Sequence, residues 1–194
     1  MPAPNQLEHP TLETIRRAND DFFNPSGNAR IVDDTVRLLF TQWSHNTDRA
    51  HVLAKVVLLN RLFSTNIYDV YTVADYIVDL EIDPRLAAGD IDLVEDIANV
   101  PFKPKPRRLY SFATKYCARH NPDAYQVYDA RVDTALWRYG QQTGFADFKR
   151  AELWTFPNFM RIIEAFRIRF KVQSASRPDL DRFLWTVGGC ASAP

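Results

Sequence analysis

Apolar residues recur along this chain at intervals of three and four, the spacing of one helix face, and strand-like alternation never persists beyond a few residues. A first helix is predicted from Thr11 to about Phe23, ended by Asn24-Pro-Ser-Gly-Asn28. Val32, Val36, Leu39, Phe40 and Trp43 mark a second. A third, capped by Thr47 or Asp48, carries Val52, Val56, Leu59 and Phe63. Leu53, Val57, Leu58 and Leu62 widen that face, which predicts a buried helix. Asp69 or Thr72 opens a fourth through Leu80, and Asp83-Pro84 is expected to break it. Asp90 then opens a short helix with Ile91, Val94, Ile97 and Ala98 on one side. The three prolines of residues 101–106 predict a rigid basic connector. Beyond it come a helix bearing Lys115, a break at Asn121-Pro122, and a helix from Asp129 to about Tyr139. A loop over 140–145, a long helix over 157–170 and a last one over 179–187 complete an all-α chain of about nine short helices.

Composition narrows the class. The 194 residues are 46% hydrophobic and 25% charged, enough for one domain of two lobes around a cleft, with residues 1–30 peripheral and 188–194 a flexible tail. No apolar run approaches the length of a membrane span, and the N-terminus lacks the basic start and apolar core of a secretory signal, so a cytoplasmic monomer is expected. Two cysteines, Cys117 and Cys190, exclude a four-cysteine cluster, and a disulfide between them is not favoured in a reducing compartment. His9, His45, His51 and His120 show no metal-ligand spacing, so no metal is expected.

The net charge is zero, but its distribution is uneven. Residues 69–98 hold nine acids against Arg85 alone, and residues 99–194 hold sixteen Lys and Arg against eight acids. Such a chain can offer a basic face to a phosphate backbone, or its acidic helices can simply pair with basic ones.

The chemistry-bearing stretch is 111–132. Lys115 shares one helix face with Ser111 and Arg119, and Phe112 and Tyr116 flank it. Asp129, followed by Ala-Arg-Val, has the setting of an N-cap whose oxygen accepts a backbone N–H. Taken singly, each is an ordinary surface charge or cap. His120 reads as a hydrogen-bonding group at the break before Pro122, and Trp43, Tyr68, Tyr71, Phe112, Tyr116 and Trp185 each read singly as core aromatics, Phe112 and Tyr116 being the best placed for a pocket.

Tyr-Asp-Ala-Arg-Val at 128–132, preceded by a lysine-bearing helix, resembles the Val-Asp-x-x-Val element of helix-hairpin-helix DNA glycosylases. The resemblance is closest to the group with the fold of 8-oxoguanine DNA glycosylase. Its signature is similar to Ser-Phe-Ala-Thr-Lys-Tyr-Cys at 111–117 followed by His-Asn-Pro, to the Leu-Asn…Ser-Thr-Asn-Ile block at 59–67, and to Leu-Asp-Arg-Phe-Leu-Trp at 180–185. The resemblance implies a base-excising enzyme with Asp129 as the carboxylate that helps ionise the glycosidic bond and Lys115 as the candidate Schiff-base amine. Phe112 and Tyr116 are then the base-pocket aromatics. Lys103, Lys105, Arg107, Arg108, Arg119 and Arg131 are the candidate contacts to the DNA backbone. The implied partner is double-stranded DNA with a flipped modified base, in repair or phage defence, with no cofactor.

Two features depart from the family. The glycine-rich hairpin that precedes the lysine is replaced by residues 99–108, which contain no glycine. The wider family spacing would put the lysine at Ser111, one turn or about 5.4 Å before Lys115. Two alternatives stay open: a non-catalytic DNA-binding module of the same fold, and a helical protein-interaction domain that docks through the acidic block.

Overall fold

In the computed structural model, residues 6–24 and 27–190 are described, the side chain of Cys190 excepted, and they are mostly helical. The helices are α1 (Leu12–Phe22), α2 (Ala29–Gln42), α3 (Arg49–Phe63), α4 (Val70–Asp79), α5 (Asp83–Ala88), α6 (Leu93–Ala98), α7 (Tyr110–His120), α8 (Ala130–Thr143), α9 (Phe156–Arg169) and α10 (Arg177–Cys190). A two-residue antiparallel pair, β1 (Asn99–Val100) with β2 (Arg107–Arg108), and a 3₁₀ turn (Arg150–Trp154) are the other regular elements.

The chain divides into two compact units. The middle unit is Pro25–Val127, and the terminal unit joins Met1–Asn24 to Tyr128–Pro194.

In the middle unit two caps form where the sequence places them, whereas α6 starts at Leu93 after Asp92 and not at Asp90. Asp48 accepts from Ala50 and His51 N–H to start α3, and Asp69 accepts from Thr72 N–H to start α4. Val36, Val52, Val56, Leu59, Val73 and Ile77 are sealed from water. The breadth of the α3 face misled, because Val57 and Leu62 are 44% and 36% exposed. Helix α4 ends at Asp79, before Asp83-Pro84 is reached, and that pair opens α5 instead, since proline in a first turn has no N–H to leave unsatisfied. Gly89, at φ +67°, closes α5 in the left-handed region.

The turn after α3 is tied by Asn60. Its amide donates to Ile67 O at 2.9 Å, and its Oδ1 accepts from Ile67 N–H at 2.9 Å and Thr65 Oγ1 at 3.1 Å. These bonds hold a turn in which Ser64 and Asn66 both take positive φ. The proline-rich 101–106 segment is the loop of a hairpin, closed by Asn99 opposite Arg108 and Val100 opposite Arg107. Helix α7 follows and is buried along most of its length.

In the terminal unit, α1 packs on α10 and α10 packs on α8. Of the segment 1–30 expected to be peripheral, the described residues 6–24 pack within this unit, and 1–5 lie outside the described residues. Ile15 is 2% exposed, Tyr139 Oη donates to Glu8 O at 2.5 Å, and Leu7 N–H donates to Gln142 Oε1 at 3.2 Å. Helix α8 runs through Gly140, where a loop was expected, and stops at Gly144 with φ +58°. Helix α10 extends beyond the predicted end through 188–190, and the rest of the expected tail, residues 191–194, lies outside the described residues. The contact between α8 and α10 is close enough to demand glycine. A Cβ on Gly188 would lie 2.0 Å from Arg131 O.

Candidate functional site

Helix α7 carries Lys115 inward. The residue is 7% exposed, and its Nζ donates to Ser111 Oγ at 2.7 Å, one turn back on the same face. The flanking aromatics are deeper still, with Phe112 1% exposed and Tyr116 sealed, their rings 5.6 Å apart. Burial pushes the Tyr116 hydroxyl well above its ordinary pKa, and it donates to Asn46 Oδ1 at 2.5 Å. Arg119, at the end of α7, is paired with Asp33 at 2.7 Å and lies over the Phe63 ring.

Behind α7 is a buried polar cluster that the sequence reading passed over. Lys55 of α3 has no exposed surface. Its ammonium donates to Asn46 Oδ1 at 2.6 Å, Trp43 O at 3.0 Å and His45 O at 3.1 Å. Three oxygens match the three donors of an ammonium group. Burial lowers the Lys55 pKa to about 8, against the opposing pull of Asp83. His120 Nε2 lies 3.4 Å from the same nitrogen, and burial together with the Lys55 charge holds the imidazole down to about 3. Asp83 accepts from the Asn46 backbone N–H at 3.0 Å and its amide at 2.6 Å. Burial opposes ionisation of Asp83, yet the Asn46 donors and His45 keep its pKa below the ordinary value. One signal was available in the sequence: Lys55 sits on the same helical stripe as Val52, Val56 and Leu59.

Asp129 belongs to the terminal unit and is the N-cap of α8. Its backbone is extended at φ −151°, and Oδ1 accepts from both Arg131 N–H and Val132 N–H at 3.0 Å. One turn on, buried Asp133 accepts from Tyr128 Oη at 3.0 Å and Arg150 Nε at 2.6 Å. Arg131 lies flat on the Trp185 ring, 3.9 Å from its centroid. The structure thus places Lys115, Phe112, Tyr116 and Arg119 on one helix of the middle unit, and Asp129 and Arg131 at the head of one helix of the terminal unit.

The four hairpin cations divide. Arg108 donates from Nη2 to both carboxylate oxygens of Glu95 and lies over the Tyr110 ring. Lys103, Lys105 and Arg107 are exposed and, among the described residues, have no ion pair. Two aromatics read as core are at the surface: Tyr68 is 90% exposed and Tyr71 65%. The acidic block is partly neutralised within the middle unit, where Arg85 binds Asp90 and Asp96, and Arg49 binds Asp75.

Among the described residues no group of His, Cys, Asp and Glu could hold a metal ion, and no helix is long and apolar enough to cross a membrane. Cys117 is a buried free thiol, raised in pKa by that burial.

Comparison with known proteins gives two matches. The model of the HI_0787_N family, described as an N-terminal domain, matches residues 13–124. That stretch covers Lys115 and the Lys55 cluster and stops short of Asp129. A protein of Haemophilus influenzae, described as uncharacterized, is 36% identical over 138 residues, which are 71% of this chain and 66% of that protein. The chain therefore spans about two thirds of that relative's length. No solved structure matches.

Proposed function

The chain belongs to the HI_0787_N family, and from its site residues we propose that it is a DNA glycosylase of the helix-hairpin-helix, 8-oxoguanine-glycosylase-like type. It excises a damaged or modified base by cleaving the N-glycosidic bond. The bond between C1′ and the base nitrogen breaks, and the base leaves with the bonding electrons and takes up a proton. The Asp129 carboxylate opposes the positive charge that builds on the sugar. Water fills C1′, or the Lys115 amine does so and goes on to a Schiff base.

The observation that carries this reading is the position of the Lys115 amine. Its Nζ is hydrogen-bonded to Ser111 Oγ at 2.7 Å within a buried helix. Ser111 is the position where the wider glycosylase spacing sets its lysine, and the Lys115 amine rests against that residue's side chain. Asp129 as a helix N-cap supports the same reading, since two backbone N–H groups fix the orientation of its carboxylate. Phages with modified DNA offer such bases, so defence and repair both suit the activity.

Duplexes carrying a panel of modified bases provide the test, read by alkaline cleavage and by borohydride trapping. Abasic sites from at least one duplex, lost in Asp129→Asn, are expected. A covalent adduct trapped with the wild type and absent in Lys115→Ala assigns the amine. If no duplex yields abasic sites, the proposal fails.

The hairpin gives weight to a second reading, a DNA-binding module without excision. It has cations where glycosylases have glycine amides. That module would bind DNA in a salt-dependent way with Lys115→Ala and Asp129→Asn both intact in binding.

A further inference from the structure

The geometry points to a nucleic-acid stacking platform on the middle unit, in which Tyr68 receives an unpaired base and the 99–108 hairpin holds the flanking phosphates. Tyr68 is 90% exposed, more than any other large hydrophobic residue described. It is not held out by accident of a frayed end. Asn60 fixes the residue just before it through both Ile67 backbone groups, and Asp69 just after it caps α4. A rigid frame on both sides thus presents the ring to solvent.

The hairpin supplies the charge. Arg107 lies 5.2 Å from the Tyr68 ring centroid, within cation–π distance, yet leaves the tyrosine almost wholly accessible. Arg107 is fixed opposite Val100 in the β pair, and Lys103 and Lys105 occupy the loop that this pair closes. Among the described residues these three hairpin cations have no ion pair, whereas Arg108 beside them is used up by Glu95. The nearest acid in sequence, Asp69, is turned to Thr72, whose N–H and hydroxyl hold its pKa below the ordinary value. A rigid exposed ring beside Arg107, with Lys103 and Lys105 in the loop of the same hairpin, matches a π-face flanked by phosphates. A folded protein partner would instead be expected to bring carboxylates or an apolar face.

This inference goes beyond base excision and does not depend on it, because an unmodified strand suffices as ligand. The probe is a fluorescein-labelled thymidine dodecamer, single-stranded, followed by fluorescence anisotropy over a range of salt concentrations. A duplex of equal length is measured beside it. The full chain is expected to prefer the single strand. Tyr68→Ala is expected to weaken that binding on the order of ten- to a hundredfold, and Tyr68→Trp to restore it. Exchange of Lys103 and Lys105 for Gln is expected to flatten the slope of log affinity against log salt by about 1.4. Thermal melts of each variant check that the fold is intact, which the exposure of all three positions predicts. Equal binding by Tyr68→Ala and wild type overturns the platform, as does a salt slope unmoved by the lysine exchanges. Failure of excision with binding intact would overturn only the glycosylase reading.

Discussion

Replacing Lys55 with methionine keeps the length of the side chain and deletes the one buried ammonium that joins α3 to the Trp43–Asn46 turn. Two effects then oppose each other at neutral pH. The carbonyls of Trp43 and His45 lose a donor, at about 1–3 kcal/mol each where no water replaces it, while Asn46 Oδ1 keeps Tyr116. Against this, the variant no longer has to bury a charge. The fall of the Lys55 pKa from 10.5 to about 8 measures that second effect at about 3 kcal/mol. The net change at one pH is therefore a poor test, and the pH dependence is a sharp one.

Between about pH 8 and 10.5 the unfolded chain still binds the Lys55 proton and the folded chain has lost it. Unfolding then takes up a proton, so the stability of the wild type relative to Lys55→Met rises with pH across this window, by about 3 kcal/mol in all. Other groups act the opposite way. Cys117, Tyr116, Tyr125, Tyr128 and Tyr139 are raised by burial, so above their ordinary values of 9 and 10 they ionise first in the unfolded chain and lower stability. That loss is common to both proteins and cancels in the difference. Urea unfolding of both, followed by circular dichroism at several pH values from 7 to 10.5, gives the comparison. Trp43 emission adds a local probe, as it is the middle unit's one tryptophan. A difference that stays flat or falls as pH rises refutes the reasoning.

Acid should act through His120. Its imidazole is neutral in the fold down to about pH 3, so below about 6.5 the unfolded chain binds the extra proton and stability is lost by at most about 1.4 kcal/mol per pH unit; His120→Gln should show a shallower loss in urea titrations between pH 6 and 4. Gly188→Ala drives a Cβ into the Arg131 carbonyl at 2.0 Å, and overpacking of about 3 kcal/mol less about 1 kcal/mol of helix propensity should lower Tm by roughly 4–8 °C. Gly140→Ala, which meets only the tip of the Phe148 ring, is the control expected to melt near the wild type, and a Gly188→Ala that melts no lower would contradict the helix contact. Asp129→Ser keeps a capping oxygen and removes the carboxylate, so it should melt close to wild type, while Asp129→Ala loses about 1 kcal/mol. In the duplex excision assay both should be inactive, and activity in the serine variant would remove the carboxylate from the mechanism.

What the sequence discloses here is whatever is local. Asp48, Asp69 and Asp129 are legible as caps because each satisfies N–H groups two or three residues away. The burial of Val52, Val56 and Leu59 follows from periodicity alone. Lys55 was only half legible: its place on the Val52, Val56 and Leu59 stripe signals burial, but two of its three partners are the carbonyls of Trp43 and His45, and backbone oxygens leave no residue-type signal. Tyr68 was misread because composition treats an aromatic as core, and only the Asn60 and Asp69 ties on either side show it held outward.

That asymmetry bears on Lys115. A lysine on a helix face reads as solvated by default, yet burial puts its amine on Ser111 and not in bulk water. A long side chain folded back along its own helix moves the reactive atom a full turn from its Cα. Motif spacing counts Cα positions, while chemistry depends on Nζ positions, and lysine is the residue in which the two differ most. Exchanging the two positions tests this directly: Ser111→Lys with Lys115→Ser restores the wider spacing. A lysine at 111 sets its amine a further turn back, so where the Nζ position decides, the borohydride-trapped adduct should vanish in the double variant as it does in Lys115→Ser alone.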